Sequence, residues 1–431
     1  MADRYEFNDG KSSKFWEIEL SGSAYTVRYG RIGTNGQTKT KVFDSAAEAV
    51  AAADKVTKSK VKKGYAPVAA VPQSGGTPSN AELEAALIAN PDDTAAWEVY
   101  GDWLQTQGSP RGALVAAQLA GGSGDELIEA HKAEFLGRFG TDWEDGFEVE
   151  WRNGFWRSGR VFLSWDNEDM DFLPALEAML SHDSARFLEV VRIGLCDLEG
   201  EVVYDESIGV LVAAGERPSV RHLHLGDFEY PDDTEISWTD VGDCTPLFGL
   251  YPNLRHLHLQ GGSIQLSPVT HASLEKLQLH TGGLLGPTAV AIGRSSFPAL
   301  THLEVWFGTD NYGGTTKVSD IDVILQSKGL GAVKWLGLMN YDGADKLVKA
   351  LPGAPILPQL EVLDLSMGTL TAAGAQVILD NAAAFAHLKV LNLKDNFISD
   401  ELVAKLQEAL PQAQLGDQED ADDWIYVSVG E

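Results

Sequence analysis

Six of the ten histidines in this 431-residue chain share one setting, alternating with leucine or lying just beyond such an alternation. They are His222, His224, His256, His258, His280 and His302, and Trp306 and Trp335 occupy the same kind of position. Imidazole offers metal ligation, proton exchange near neutral pH, and stacking or hydrogen bonding to a partner. For ligation the row lacks cysteine or carboxylate partners at tight spacing, and adjacent strands would stand about 4.8 Å apart. No metal is therefore expected. Two readings stay open. The row is either ordinary surface without a ligand, or a neutral-to-cationic aromatic stripe that recognises a protein and responds to mild acid.

The element that must position these residues is a repeated phrase of Leu, two residues, Leu, one residue, Leu. Leu254 to Leu259, Leu360 to Leu365 and Leu388 to Leu393 are clear copies, and looser ones centre on Val191, Leu223, Leu277, Leu303 and Leu336. The eight copies recur at spacings of 32, 34, 20, 26, 33, 27 and 28 residues. The last copy adds Asn396 and Ile398 at positions nine and eleven. This pattern resembles the leucine-rich repeat, which implies one short strand per unit on a concave face. The physics agrees, because one unit cannot bury its own leucines and neighbours must share a core. Side chains alternate along a strand, so the third and fifth positions, where histidine recurs, point to solvent. Helical returns are expected over 371–384 and 400–410.

Charge divides the chain unevenly. Residues 1–66 hold 12 Lys/Arg and 8 Asp/Glu, a net of +4; the whole chain carries −30, so the remainder carries −34. An acidic body argues against gripping phosphates and for a basic protein partner. Only the basic head offers a nucleic-acid face. Two cysteines, Cys196 and Cys244, make no disulfide framework, and no apolar stretch has the length of a bilayer span, so a cytoplasmic protein is expected.

In the head, 15–20, 24–29 and 39–43 read as strands and 46–62 as a helix. The run Tyr29-Gly30-Arg31-Ile32-Gly33-Thr34, then Gly36-Gln37, a strand and an Ala/Lys-rich helix ending at Gly64-Tyr65, resembles the WGR domain. Tyr29 stands where the name-giving Trp is usual, and Arg31 matches. In the polymerase branch of that family the motif Trp and Arg contact DNA near a strand end. The resemblance therefore implies nucleic-acid or partner binding through Tyr29, Arg31, Lys39 and Lys41. The Lys55 to Lys63 cluster reads as a solvated helix face.

Residues 67–79, rich in Pro and Gly, read as a flexible linker. Residues 80–141 read as helices: 81–89, 95–107, a third after Gly112, and 124–139. The runs Asn90-Pro91-Asp92-Asp93 and Gly108-Ser109-Pro110-Arg111-Gly112 resemble a bacterial segment that accompanies leucine-rich repeats, which implies packing rather than chemistry. Residues 142–184 gather Trp143, Trp151, Trp156 and Trp165, expected to cap the open end of the repeats. The repeats proper span 185–413. An acidic tail with a last strand, 414–431, is expected to seal the other end. The expected architecture is an α/β leucine-rich-repeat solenoid, a horseshoe, preceded by a small α+β WGR domain and a helical connecting segment.

One repeat is interrupted by an excursion, Asp227 to Pro246, with seven acids, no Lys or Arg, and Phe228, Tyr230 and Trp238 as exposed contact residues. A second long excursion covers 308–320. Such loops lie on binding faces. Signatures of catalysis are missing: Arg160-Val161 follows Gly159 where a P-loop needs Lys-Ser/Thr, and there is no zinc helix, nucleophile elbow or Cys-x-x-Cys. The chain reads as a non-enzyme without cofactor, small-molecule substrate or membrane contact. It is expected to be a bacterial sensor or adaptor in defence or signalling. The alternatives are an acidic inhibitor or immunity protein for a basic enzyme such as a nuclease, and a DNA-end binder.

Overall fold

The computed structural model describes residues 3–8, 13–21, 24–31, 37–43, 46–63, 65–67, 76–198, 202–420 and 424–430. The chain forms two compact units, Met1–Pro78 and Ser79–Glu431. No helix among the described residues is long and apolar enough to cross a membrane.

The first unit is a five-stranded antiparallel sheet, built from β1 (Asp3–Asn8), β2 (Ser13–Ser21), β3 (Ala24–Arg31), β4 (Gln37–Val42) and β5 (Ala66–Pro67), with helix α1 (Ala46–Lys62). The strand order is β4-β3-β2-β1-β5. Sequence reading missed β1, whose polar run Asp3-Arg-Tyr-Glu-Phe-Asn has little alternating apolar signal. Because Ala66 and Pro67 pair with Glu6 and Tyr5, the sheet continues to Pro67, inside the stretch read as linker. Ala49 and Ala53 of α1 are buried, and Ala52 and Val56 pack beside Trp16, Ile18 and Tyr25. That spacing is the one a helix needs to press a single stripe on a sheet.

The second unit opens with α2 (Ala81–Ala89), α3 (Thr94–Thr106) and α4 (Pro110–Leu119). Asn80 caps α2 by accepting from the backbone of Glu82 and Leu83, both at 3.2 Å, and Asp93 caps α3 through Ala96 at 3.0 Å. Helix α4 starts earlier than its sequence suggests. Pro110 takes the first helical position, where its missing N–H costs nothing, and Ser109 accepts from Arg111 N at 3.3 Å. Helices α3 and α4 meet through glycine: a Cβ on Gly112 would lie 2.6 Å from the Gly101 carbonyl oxygen. The helix read over 124–139 is instead broken into Asp125–Ala130, Lys132–Phe135 and a 3-10 turn at Gly137–Gly140. Arg111 is fully buried. Its guanidinium donates to Gly154 O (2.5 Å) and Ser184 Oγ (3.0 Å) and lies over the rings of Phe135 and Phe155.

The described remainder carries one eleven-stranded sheet and a small three-stranded one, with helices between strands, among them the expected returns at Ala372–Asp380 and Asp400–Ala409. Strands β6 (Phe147–Arg152) and β7 (Phe155–Val161) form an antiparallel hairpin at one end. From β7 onward neighbours are parallel: β8 (Val190–Ile193), then, after β9 (Val202–Val203), β10 (His222–Leu225). After β11 (Thr239–Asp243) comes β12 (His256–Gln260); after β13 (Gly262–Gln265) come β14 (Lys276–His280), β15 (His302–Gly308), β16 (Trp335–Tyr341), β17 (Val362–Asp364), β18 (Val390–Asn392) and β19 (Ala413–Gln414). In the large sheet, strand order follows chain order. The eight phrases fall in register: Val191, Leu223, Leu257, Leu277, Leu303, Leu336, Leu363 and Leu391 pair neighbour to neighbour, each at most 1% exposed. Each such leucine contributes about 1.5–3 kcal/mol through burial. Asn396 is fully buried, and its Nδ2 donates to the carbonyls of Leu365, Leu393 and Lys394 while Oδ1 accepts from Leu370 N, so one amide saturates a turn that has no ladder of its own.

Three expectations need correction. The 227–246 excursion is folded: β11 joins β9 and β13 in a parallel three-stranded sheet, with Ile236, Val241 and Cys244 buried beneath it. Of the clustered tryptophans, Trp143 and Trp156 are buried and Trp151 packs on the core, but Trp165 is 68% exposed. The tail is not a last strand. Residues 424–430 run as an extended strap across the strand exits: Ser428 N donates to Met367 O at 3.0 Å, and Val429 exchanges two hydrogen bonds with the Asn340 side chain. Crossing the strands instead of running beside them, the strap finds loop and side-chain partners but no ladder.

Candidate functional site

The alternation that buries the leucines turns the residues between them to the other face of the large sheet. Parallel register places His222 beside His256 and His224 beside His258. It then sets His256 beside Lys276, His258 beside Gln278, and Gln260 beside His280. One strand on, Gln278 adjoins Glu304, and Lys276 adjoins His302, which in turn adjoins Trp335. All eight residues of the expected row lie on this outward face.

They are joined side chain to side chain. His224 stacks on His258 with ring centroids 3.9 Å apart, His280 on Trp306 at 4.0 Å, and His302 on Trp335 at 3.9 Å. His222 meets His256 edge-on at 5.5 Å. Hydrogen bonds connect the stacks: His258 Nε2 to His280 Nδ1 (2.9 Å), His280 Nε2 to Glu304 Oε1 (2.8 Å), His302 Nε2 to Glu304 Oε2 (3.2 Å), and His256 Nε2 to Gln278 Oε1 (2.7 Å). Gln278 Nε2 donates to Glu304 Oε2 at 2.8 Å. At the other end His224 Nδ1 meets Asp227 Oδ1 (3.1 Å), and Asp227 Oδ2 accepts from Arg160 Nε (2.7 Å).

A carboxylate only accepts, and this fixes the polarity of the network. With one proton per imidazole, His280 donates from Nε2 to Glu304, so its Nδ1 accepts from His258 Nε2. Gln278 spends its amide N–H on Glu304, so its oxygen accepts from His256. Glu304 thereby assigns the donors at its own end, and Asp227 likewise takes the protons of His224 Nδ1 and Arg160 Nε at the other.

Electrostatics follows the same division. Burial would raise the Glu304 carboxyl, but hydrogen bonds from His280 and His302 hold it well below the usual carboxylate range. Burial likewise opposes the Asp227 charge, yet His224 and Arg160 hold it down at about 2. The imidazoles move the other way. Burial depresses His258 strongly, depresses His222 as well, and takes His256 down to about 4. Among the described residues no three histidine, cysteine or carboxylate side chains are grouped to hold a metal ion.

Of the residues that tie the row together, sequence reading places Gln278 in the row itself but misses Glu304, Asp227 and Arg160. Glu304 and Gln278 both occupy the fifth position of the phrase, the signal that identified the histidines, but Glu304 was passed over for its chemistry. Asp227 and Arg160 come from a loop and from the hairpin, and no spacing announces them. Of the excursion residues, Phe228 is 7% exposed and Tyr230 packs on the core, contrary to expectation, because the excursion folds back onto its own sheet; Trp238 is 63% exposed as expected.

In the first unit, Tyr29 is partly buried against the core and lies within 3.4 Å of Gln37 Oε1 through its hydroxyl. Lys39 and Lys41 are exposed on β4, and Lys39 Nζ stands 6.0 Å from the Tyr29 ring. The side chain of Arg31 lies outside the described residues. Lys60 was grouped with a solvated helix face, but its Nζ sits over the rings of Trp16 (5.5 Å), Tyr29 (5.8 Å) and Tyr65 (4.8 Å). It lies on the Ala49-Ala53-Val56 stripe, so helical periodicity could have found it. Lys55, Lys58 and Lys62 line an open depression on the opposite side of the helix.

Comparison with known proteins bears on both units. Residues 3–71 match the WGR domain family. Two Escherichia coli (strain K12) proteins are similar over that region. The uncharacterized protein YfeS is 40% identical over 65 residues, 15% of this chain and 27% of its own, and the protein YehF is 42% identical over 59 residues, 14% and 22% respectively. This chain thus aligns with about a quarter of each relative. A crystal structure of a Bacteroides fragilis protein is similar over 100% of both chains at a TM-score of 0.56 and 24% identity, a likeness of fold. The chain carries a WGR domain at its N-terminus, followed by a mixed α/β unit in which leucine-bearing strands stack in parallel register.

Proposed function

We propose that this protein is a non-catalytic interaction module, a cytoplasmic bacterial adaptor or sensor, in which the repeat unit is the receptor for a protein partner. In this reading the large sheet curves as a horseshoe and its histidine row lines the concave side. The carrying observation is the continuous network from Asp227 through His224, His258 and His280 to Glu304 and His302. Each ring is held by a neighbour, so little side-chain entropy remains to be lost on binding, which favours recognition. The WGR domain is the second address, docking a protein or nucleic acid through Tyr29, Arg31, Lys39 and Lys41.

The test is affinity capture from native lysate with the intact chain, a His280→Ala/Trp335→Ala variant and an Arg31→Ala variant, each with and without nuclease. A nuclease-resistant protein held by wild type and lost by the face variant supports the reading. Capture unaffected by the face variant would sink it. Partners lost with Arg31→Ala or with nuclease belong to the WGR domain.

A further inference from the structure

We infer that the strand-exit edge of the repeat unit is a second docking surface, suited to an extended segment of a partner protein bearing arginine or lysine, with Trp165 and Trp238 as aromatic anchors. It shares only Asp227 with the histidine network, rests on the indoles and clefts rather than on the histidine row, and stands or falls separately.

Two clefts flank the excursion that follows β10. One, of about 200 Å³, is walled by Trp165 and lined by Phe162, Leu195, Asp227, Asp232 and Asp233. The other, also about 200 Å³, lies between Trp238 and Tyr312 with Asp240 beside a floor of Gly262, Gly282 and Gly283. The excursion contributes Asp232 and Asp233 to the first and Trp238 and Asp240 to the second, so one folded loop separates them. Trp165 is 68% exposed and Trp238 63%, in a unit that buries Trp97, Trp143 and Trp156 at 5% or less. Indole left so bare at a cleft wall is surface waiting to be covered.

Charge decides what covers it. Residues 161–185, 193–216 and 222–254, which supply these exits, contain no Lys or Arg. Beside Trp165 in the chain stand the exposed Asp166, Glu168 and Asp169. The cation within the first cleft, Arg160, is already bonded to Asp227 at 2.7 Å and Glu148 at 3.2 Å. An apolar helix laid on this edge would strand carboxylates away from water, a large cost. A nucleic acid would bring phosphate to carboxylate. An ammonium or guanidinium satisfies both parts of the site, stacking on the indole and pairing with the acids. Each cleft has room for one such head group, and two clefts separated by a loop suit successive side chains of an extended segment.

The test uses the full chain and a labelled alternating Arg-Gly peptide, read by fluorescence anisotropy, with Lys-Gly and Glu-Gly versions beside it. The Arg-Gly peptide should bind, the Lys-Gly peptide less tightly, and the Glu-Gly peptide not at all. Trp165→Ala and Trp238→Ala should each weaken binding about threefold, and the pair about tenfold. Both side chains are exposed, so the variants should keep the wild-type melting temperature. Trp424→Ala, removing another exposed indole (81%), should change nothing, and neither should His302→Ala on the sheet face. Affinity should fall between about 0.15 M and about 0.5 M salt. A double variant that binds as tightly as wild type, or a Glu-Gly peptide that binds as well as Arg-Gly, overturns the inference.

Discussion

Acidification should weaken the repeat unit before the carboxylates of the histidine row titrate, and His258 should account for a definable share. Burial keeps its imidazole neutral far below the usual range, with His224, His280 and His256 opposing a further proton. In the unfolded chain it titrates near pH 6.5. Between those limits the unfolded state holds a proton that the folded state refuses. The contribution of a depressed histidine is therefore complete above about pH 6.5 and is lost as pH falls below it. For one group fully refused, the loss approaches about 1.4 kcal/mol per pH unit, or about 2 kcal/mol between about pH 7.5 and pH 5. Glu304 and Asp227 are held low, and unfolded carboxylates protonate only near about pH 4, so they stay out of this window. His222, His256 and His182 are also depressed and steepen the wild-type curve, but they are present in the variant as well. The perturbation is His258→Gln. Urea unfolding at both pH values, followed by tryptophan fluorescence, reports on the right unit, because only Trp16 of the eleven tryptophans lies outside it. His258→Gln should lose some stability at pH 7.5 and then lose about 2 kcal/mol less than wild type on going to pH 5. Equal losses in the two proteins would refute the claim that the folded face excludes this proton.

Two further outcomes follow from the same geometry. Glu304→Gln replaces an acceptor-only carboxylate, which faces N–H groups of His280, His302 and Gln278, with an amide whose own NH2 donor is turned toward some of them, and should cost about 3 kcal/mol of stability at neutral pH by urea unfolding. Lys60→Met keeps most of the aliphatic stem but removes the charge over Trp16, Tyr29 and Tyr65, and should lower the stability of the first unit by about 1 kcal/mol, seen in the Trp16 fluorescence transition of an isolated 1–78 fragment.

The repeat was legible because stacking demands it. Eight copies of one phrase must share a core, and alternation then dictates that His222, His256 and His302 face away from it. Local signals placed α1 and α2 through their ends: Gly64 after the one, Asn80 as a cap before the other. What could not be read depends on partners remote in sequence. Phe228 and Tyr230 look like exposed loop aromatics until β11 is seen to join β9 and β13. The strap over 424–430 reads as a strand because Ile-Tyr-Val-Ser-Val alternates, yet its bonds go to Asn340 and Met367, far back in the chain. The N-terminal motif was legible from Tyr29-Gly-Arg, and the inward face of Lys60 from the spacing of Ala49, Ala53 and Val56, but the rings of Trp16 and Tyr65 beneath it were not.

Asp227 is where the two surfaces of the repeat unit touch. It begins the excursion, lines the Trp165 cleft, and anchors His224 at the end of the histidine row. Held at about 2 by His224 and Arg160 against the cost of burial, it keeps its charge well below neutral pH. The face therefore has fixed acceptors, Asp227 and Glu304, and between them His258, whose charge burial opposes. A partner that supplied a carboxylate to His222, His256 or His258 would meet imidazoles whose charge burial opposes, and would gain little. One that supplied hydrogen-bond acceptors without charge, such as main-chain carbonyls, would need no change of protonation. That asymmetry favours a protein backbone or neutral side chains on the face and reserves cationic side chains for the edge, so the same partner could occupy both without competing for Asp227.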